Sequence, residues 1–174
     1  MTRAQPACYT LDHPGSSILL PAASLDRPLF ERQFDFTVTV ETTELTLPSR
    51  IDAVDEAAVS IAGILSRSGV AEDVAFGVDM AVREAVTNAV MHGNREDAAK
   101  FVRVTAKNSP DCLEISVDDE GAGFNPAKIP DPTAAENILK SSGRGIFFMR
   151  NFMDAVEWII RPEGGTTVRM TKKF

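Results

Sequence analysis

The sequence predicts an α+β fold, a two-layer sandwich in which helices pack on one face of a mixed, largely antiparallel sheet. Apolar residues recur at spacings of three and four over residues 51–65 and 74–89, which is typical of two amphipathic helices. Apolar and polar residues alternate in short segments before and after these helices, which is typical of strands with one buried face. Short turn sequences separate the later segments, so most strands are expected to pair with a neighbour in a hairpin.

Each element follows from a local pattern. Alternation over residues 36–47 predicts one or two strands. Ser49 is the expected N-cap of the first helix, and Gly69 is expected to end it. The second helix is predicted from about Glu72 to Met91, with Gly93 as its stop. The later elements are a hairpin with apolar residues at 102–104 and 113–117, a long loop over 121–142, a short helix over 145–152, and closing strands over 155–160 and 166–171.

Length and charge limit the class of protein. The 174 residues include 44% apolar residues, enough for one buried core, so disorder along the whole chain is excluded. Pro and Gly interrupt residues 1–36, which predicts an irregular leader followed by a single domain over 37–174. The formal charge of −7 argues against direct nucleic-acid binding, because neutralising phosphates requires clustered Lys and Arg.

The compartment is predicted from what the chain lacks. No apolar run approaches the roughly 20 residues of a membrane helix, so we expect no membrane partner. Cys8 and Cys112 are too few and too far apart for a disulfide framework or a zinc site. We therefore expect two reduced thiols in a cytoplasmic protein.

Glu84 and Asn88 are the first candidate site residues. They are four residues apart on the second predicted helix, so they share one face of it, at the edge of the apolar stripe. A carboxylate there can act as a general base, and an amide oxygen beside it can bind a hard cation. An ordinary solvated helix face would show the same pair.

Two glycine-rich segments follow. Asp119 precedes Gly121 and Gly123 at the end of a predicted strand, where glycines let backbone approach a flat ligand and the carboxylate can accept a hydrogen bond from an exocyclic amine. The segment 142–145 opens the short helix, whose free N–H groups favour phosphate. A simple acidic turn and a simple helix start are the alternatives for each segment taken alone.

Taken together, these segments resemble the GHKL ATP-binding superfamily (the Bergerat fold), and most closely the anti-sigma-factor serine/threonine kinases. The residues that carry the resemblance run from about Thr43 to Phe174. They are Glu84-Ala85-Val86-Thr87-Asn88-Ala89 with His92-Gly93, Asp119-Glu120-Gly121-Ala122-Gly123, Ser142-Gly143-Arg144-Gly145, Asn151-Phe152-Met153-Asp154 and Gly165-Thr166-Thr167.

The resemblance implies ATP and Mg²⁺ as cofactors and assigns a role to each matching residue. Glu84 would be the general base and Asn88 the Mg²⁺ ligand. Asp119 would accept the adenine amine, Gly121 and Gly123 would lie against the adenine and ribose, and Thr167 would contribute its hydroxyl to the adenine pocket. Gly143, Arg144 and Gly145 would hold the phosphates, and residues 125–140 would form the ATP lid.

The same resemblance implies the partners. The protein would phosphorylate a Ser or Thr of an anti-anti-sigma (STAS-type) protein, bind a sigma factor, and form a homodimer. Two other readings are open: the ATPase core of a histidine kinase, and a non-catalytic adaptor or sensor that binds nucleotide only to set partner affinity. The first needs a phospho-accepting His on an upstream helix, whereas His13 lies among Pro and Gly.

Overall fold

A computed structural model describes residues 39–123 and 144–174 of the chain. The predicted leader over 1–36, the predicted lid over 125–140 and Gly143 lie outside the described residues. The domain boundary at residue 37 therefore stays a prediction.

Five strands form one sheet in the order β1-β2-β3-β5-β4. All four ladders between these described strands are antiparallel, and the two hairpins pair β2 with β3 and β4 with β5. The strands are β1 (Glu41–Pro48), β2 (Phe101–Ser109), β3 (Cys112–Asp118), β4 (Ala155–Ile160) and β5 (Thr166–Lys173).

The helices are α1 (Ala53–Ser68), α2 (Glu72–Asn88) and α3 (Arg144–Phe152), and a π-helical turn (Ala89–Gly93) continues α2. Gly69 ends α1 with a left-handed φ of 65°, as predicted. The helix begins four residues after Ser49, which is fully buried and whose backbone N–H donates to the Lys100 carbonyl. The prediction of Ser49 as N-cap is therefore wrong, because its buried position ties it to the start of β2.

The core lies between the helices and one face of the sheet. Residues on that face alternate with residues on the opposite, more polar face, as the period of two requires. Strand β3 contributes Leu113, Ile115 and Val117, and β5 contributes Val168 and Met170. Asp119, directly after β3, continues the core-facing series and is only 5% exposed.

The predicted α+β sandwich is confirmed. No helix in the part of the chain described here has the length and apolar character needed to cross a bilayer. Cys112 is disulfide-bonded, so the expectation of a reduced thiol there is wrong, and Cys8 lies outside the described residues.

Candidate active site

The carboxylate of Glu84 lies directly against the start of α3. A methyl group built on Gly145 would overlap the Glu84 Oε2 atom and would lie 2.8 Å from its carboxyl carbon. Gly145 thus permits an approach that any side chain would block. Near the other end of α3, a methyl group on Gly77 would lie 3.0 Å from the Phe152 ring, so α2 and α3 run antiparallel in close contact. The structure therefore brings together two predicted site residues, Glu84 and Gly145.

Asn88 lies one turn beyond Glu84 on α2, and both side chains are half-buried. Their neighbours Ala85 and Ala89 face the core, which places the pair at the edge of the buried face, as the sequence predicts. The Cβ atoms of the two residues are about 6 Å apart, and each side chain carries an oxygen that can bind a cation.

Asp119 is held by the backbone of the sheet. Its N–H donates to the Thr166 carbonyl over 3.0 Å, and its Oδ1 accepts the N–H groups of Thr166 at 3.1 Å and Gly121 at 2.8 Å. The second carboxylate oxygen, Oδ2, lies against the π-helical turn, since a methyl group on Gly93 would be 2.6 Å from it. A buried carboxylate with one oxygen fixed by the backbone is suited to accepting a hydrogen bond from a ligand.

The glycines around Asp119 pack closely. A methyl group on Gly121 would overlap the Gly93 carbonyl, so the π-helical turn fills the space that a side chain would need there. Gly123 has a left-handed φ of 90° and lies beside Ile160 of β4. Arg144 is the exposed first residue of α3.

Thr167 lies apart from the Asp119 carboxylate. It pairs with Asp118 across β3 and β5, and its hydroxyl donates to the Asp118 carboxylate at 2.5 Å. Both side chains are on the sheet face opposite the core, because they alternate with the buried residues. Its neighbour Thr166 is 2% exposed, faces the core, and has no partner for its hydroxyl among the described residues.

Two further residues contact the Asp119 segment without having been predicted. The Asn94 Oδ1 atom accepts the Glu120 N–H at 2.7 Å, and Arg161 donates to the Asp119 carbonyl. Asn94 directly follows His92-Gly93, which belong to the quoted motif, so its place in the sequence could have indicated a role near the site. Arg161 is 42 residues away from its partner, and no local pattern announces it.

An ion-pair network braces the helix that carries Glu84. Arg83 donates to Asp55 of α1 at 2.6 Å and to Asp79 at 2.9 Å. The hydrogen bond to Asp55, and to a smaller extent the one to Asp79, raises the pKa of Arg83 above its ordinary value. The network links α1 to α2 one residue before Glu84.

The site's donor set fits a magnesium ion that arrives with a nucleotide. Within residues 39–123 and 144–174 no group of three or more His, Cys, Asp or Glu side chains could hold a metal by itself. Mg²⁺ commonly takes one or two protein oxygens and completes its octahedron with phosphate and water oxygens. The amide oxygen of Asn88 is an oxygen of this kind.

Comparisons with known proteins agree with this geometry. Residues 47–172 match the family described as histidine kinase-like ATPase domain. The chain is 35% identical over 121 residues to an anti-sigma F factor of Oceanobacillus iheyensis, covering 68% of this chain and 82% of that protein. It is 33% identical over 135 residues to the serine-protein kinase RsbW of Bacillus subtilis, covering 74% and 83%.

A solved structure is similar at the level of the fold. The crystal structure of the RsbU and RsbW domains of Rv1364c from Mycobacterium tuberculosis matches with a TM-score of 0.56 and 20% identity. The match covers 76% of this chain and 31% of that one.

Proposed function

The chain belongs to the histidine kinase-like ATPase family, in the group of anti-sigma F factors and RsbW serine-protein kinases, and from this premise we propose that it is both a kinase and an anti-sigma factor. It transfers the γ-phosphate of ATP to a Ser or Thr of an anti-anti-sigma (STAS-type) protein. When it is not bound to the anti-anti-sigma protein, it binds a sigma factor and keeps that sigma factor from taking part in transcription. The contact between Glu84 and the start of α3 is the observation that carries the catalytic part.

The adenine end of the nucleotide binds at Asp119. Its Oδ2 accepts a hydrogen bond from the adenine amine, and by the family resemblance the backbone of Gly121 and Gly123 lies against the adenine and ribose. Thr166 rather than Thr167 supplies the hydroxyl of the pocket, because it lies on the same face of the sheet as Asp119. Its buried hydroxyl then gains the partner that the described residues do not provide.

The phosphate end binds where α2 meets α3. The N–H groups at the start of α3, including that of Gly145, face the phosphates together with the positive end of the helix dipole. Gly143 and Arg144 contribute in the same way by the family resemblance. Asn88 would hold Mg²⁺, which when bound would supply positive charge to the phosphates.

Glu84 acts as the general base. It takes the proton of the acceptor hydroxyl as that oxygen bonds to the γ-phosphorus, and the bond from this phosphorus to the bridging oxygen breaks to release ADP. Phosphoryl transfer asks mainly for position and charge stabilisation, so the fixed distance between Glu84 and Gly145 matters more than the intrinsic basicity of the carboxylate.

The nucleotide site links the binding of the sigma factor to that of the anti-anti-sigma protein. A nucleotide shifts the preference between the sigma factor and the anti-anti-sigma protein only if it binds the two complexes with different affinity, and phosphorylation of the acceptor then ends that competition. The protein works as a homodimer in the cytoplasm, where sigma factors act.

Glu84→Gln tests the catalytic proposal. The acceptor is the anti-anti-sigma protein recovered from the native host by capture with and without ATP. The variant should lose phosphate transfer by about 10²-fold or more, the typical contribution of a general base, and should bind Mg-ATP as tightly as the parent. Glu56→Gln, an exposed carboxylate on α1, is the matched control and should transfer normally.

Other outcomes separate the alternatives. A parent protein that binds Mg-ATP and never transfers phosphate would support a non-catalytic adaptor. Phosphate on a His residue, and not on Ser or Thr, would support the ATPase core of a histidine kinase. Mg-ATP at about 100 times its Kd should stabilise the fold by about 2.7 kcal/mol, and the absence of both this shift and calorimetric binding would refute the proposal.

A further inference from the structure

The peptide group that joins Asp119 to Glu120 is hydrogen-bonded to one side chain through its carbonyl and to another through its N–H. Its carbonyl accepts a hydrogen bond from the Arg161 guanidinium, and its N–H donates to the Asn94 Oδ1 atom at 2.7 Å. Asn94 and Arg161 belong to different elements, the end of the π-helical turn and the β4–β5 hairpin. The peptide group is therefore fixed from the helix layer and from the sheet.

Asn94 is itself immobilised. It is 1% exposed, its backbone N–H donates to the Ala89 carbonyl at 2.8 Å, and its Nδ2 donates to the Phe101 carbonyl at 2.9 Å. The side chain thus joins the end of the helix that carries Glu84 to the start of β2 and to the segment after β3. A buried amide whose nitrogen donates to one backbone group and whose oxygen accepts from another holds one orientation.

Arg161 is fixed by its own hairpin. Its N–H donates to the Gly165 carbonyl at 3.1 Å and its carbonyl accepts the Gly164 N–H at 3.0 Å. Its side chain is 20% exposed. A charged guanidinium donating to a carbonyl in a largely buried place makes a stronger bond than a neutral donor would.

We infer that Asn94 and Arg161 are positioning residues that set the preference of the site for adenine over other purines. The inference rests on the proposed function, in which Asp119 recognises the adenine amine. Rotation of the peptide group after Asp119 would turn its Cα and swing the carboxylate, and a hydrogen bond loses its strength with small changes of distance and angle. The phosphates bind elsewhere, so their contribution to affinity should not depend on this peptide group.

The test compares ATP with inosine triphosphate (ITP), in which a carbonyl replaces the amine. The measured quantity is the ratio of the two Kd values with Mg²⁺, obtained by calorimetry. The parent should prefer ATP by about tenfold or more, the value of a hydrogen bond to a charged group. Asn94→Ala and Arg161→Met should each reduce the ratio to within about threefold of one, while the Kd for ITP changes by less than about threefold.

Two further variants separate positioning from general loss of stability. Asn94→Asp keeps an oxygen for the Glu120 N–H and, when protonated in its buried place, a donor for Phe101, so it should keep the parent ratio. Asn108→Ala is the matched control: its Nδ2 donates to Ser68 at 3.0 Å at the far end of β2, and its loss should not alter the ratio.

Equal weakening of ATP and ITP in both Asn94→Ala and Arg161→Met would overturn the inference, because it would assign the two residues to the fold alone. If circular dichroism shows that Asn94→Ala or Arg161→Met is unfolded, the inference is judged from the other variant and Asn94→Asp, again by the ratio of the Kd values for ATP and ITP. A parent that binds both nucleotides without preference would overturn the inference and leave kinase activity standing. A parent that binds neither would overturn the proposed function.

Discussion

Gly145→Ala should separate catalysis from folding. The backbone of Gly145 is already helical within α3, so alanine meets no conformational penalty. Its methyl group would, however, overlap the Glu84 carboxylate, which is the far end of a flexible side chain. The fold can relieve the overlap by moving Glu84 alone, and we therefore expect a stable protein with a displaced base.

The size of both effects can be worked out from the contact. The Glu84 carboxyl carbon would lie 2.8 Å from the new methyl group and must withdraw by about 1 Å to reach an ordinary carbon–carbon distance of 3.5–4.0 Å. A misplacement of about 1 Å can cost 10²-fold in rate, or about 2.7 kcal/mol in the barrier. Replacing glycine by alanine in a helix contributes up to about 1 kcal/mol of stability, so the midpoint of thermal unfolding should stay or rise.

Three measurements on the same protein check this expectation: phosphate transfer to the acceptor protein, the Kd for Mg-ATP, and thermal unfolding. Transfer should fall by about 10²-fold while the Kd changes little, because the Gly145 N–H remains in place. Gly63→Ala in α1 is the matched control, since its methyl group would meet nothing closer than the end of Arg67 at 3.6 Å. Transfer at the parent rate by Gly145→Ala would refute the role of the Glu84 contact.

Three other substitutions have definite outcomes. Asp119→Asn keeps an acceptor for the backbone N–H groups and replaces the other oxygen by a donor, so ATP affinity in calorimetry should fall about tenfold or more in a folded protein. Thr166→Val should weaken ATP binding without loss of stability, because it removes a buried hydroxyl that has no partner among the described residues; Thr167→Val should leave the Kd unchanged. Asn88→Ala should abolish the difference between the Kd for ATP with Mg²⁺ and with a chelator, whereas a preserved difference would exclude Asn88 as the metal ligand.

Most of the fold could be predicted from periodicity. The helices α1 and α2 carry stripes long enough to be unmistakable, and the β2–β3 and β4–β5 hairpins have short turns between alternating segments. The start of α1 could not be predicted in this way. Ser49 has a residue type that is typical of N-caps, but its buried position in the fold excludes it from that role. The π-helical turn at Ala89–Gly93 has no sequence signature distinct from that of an α-helix.

The two adjacent threonines show the limit of reading a motif without its register. Thr166 and Thr167 are chemically equal, and the pairing of Asp118 with Thr167 shows that Thr166 faces the core. A shift of one residue in a strand moves every side chain to the other face. The sequence pattern of β5 did contain this information, since Val168 and Met170 have the same parity as Thr166.

The two ends of the site depend on different kinds of structure. The adenine end is set by backbone bonds between β3 and β5, which break only if the sheet distorts, and by the side-chain contacts of Asn94 and Arg161. The catalytic end is set by the packing of α3 on α2 through two glycines, where one methyl group is enough to displace Glu84. Small changes between α2 and α3 should therefore stop phosphate transfer while nucleotide binding persists. Loss of binding with transfer intact is not expected from any single change in this fold.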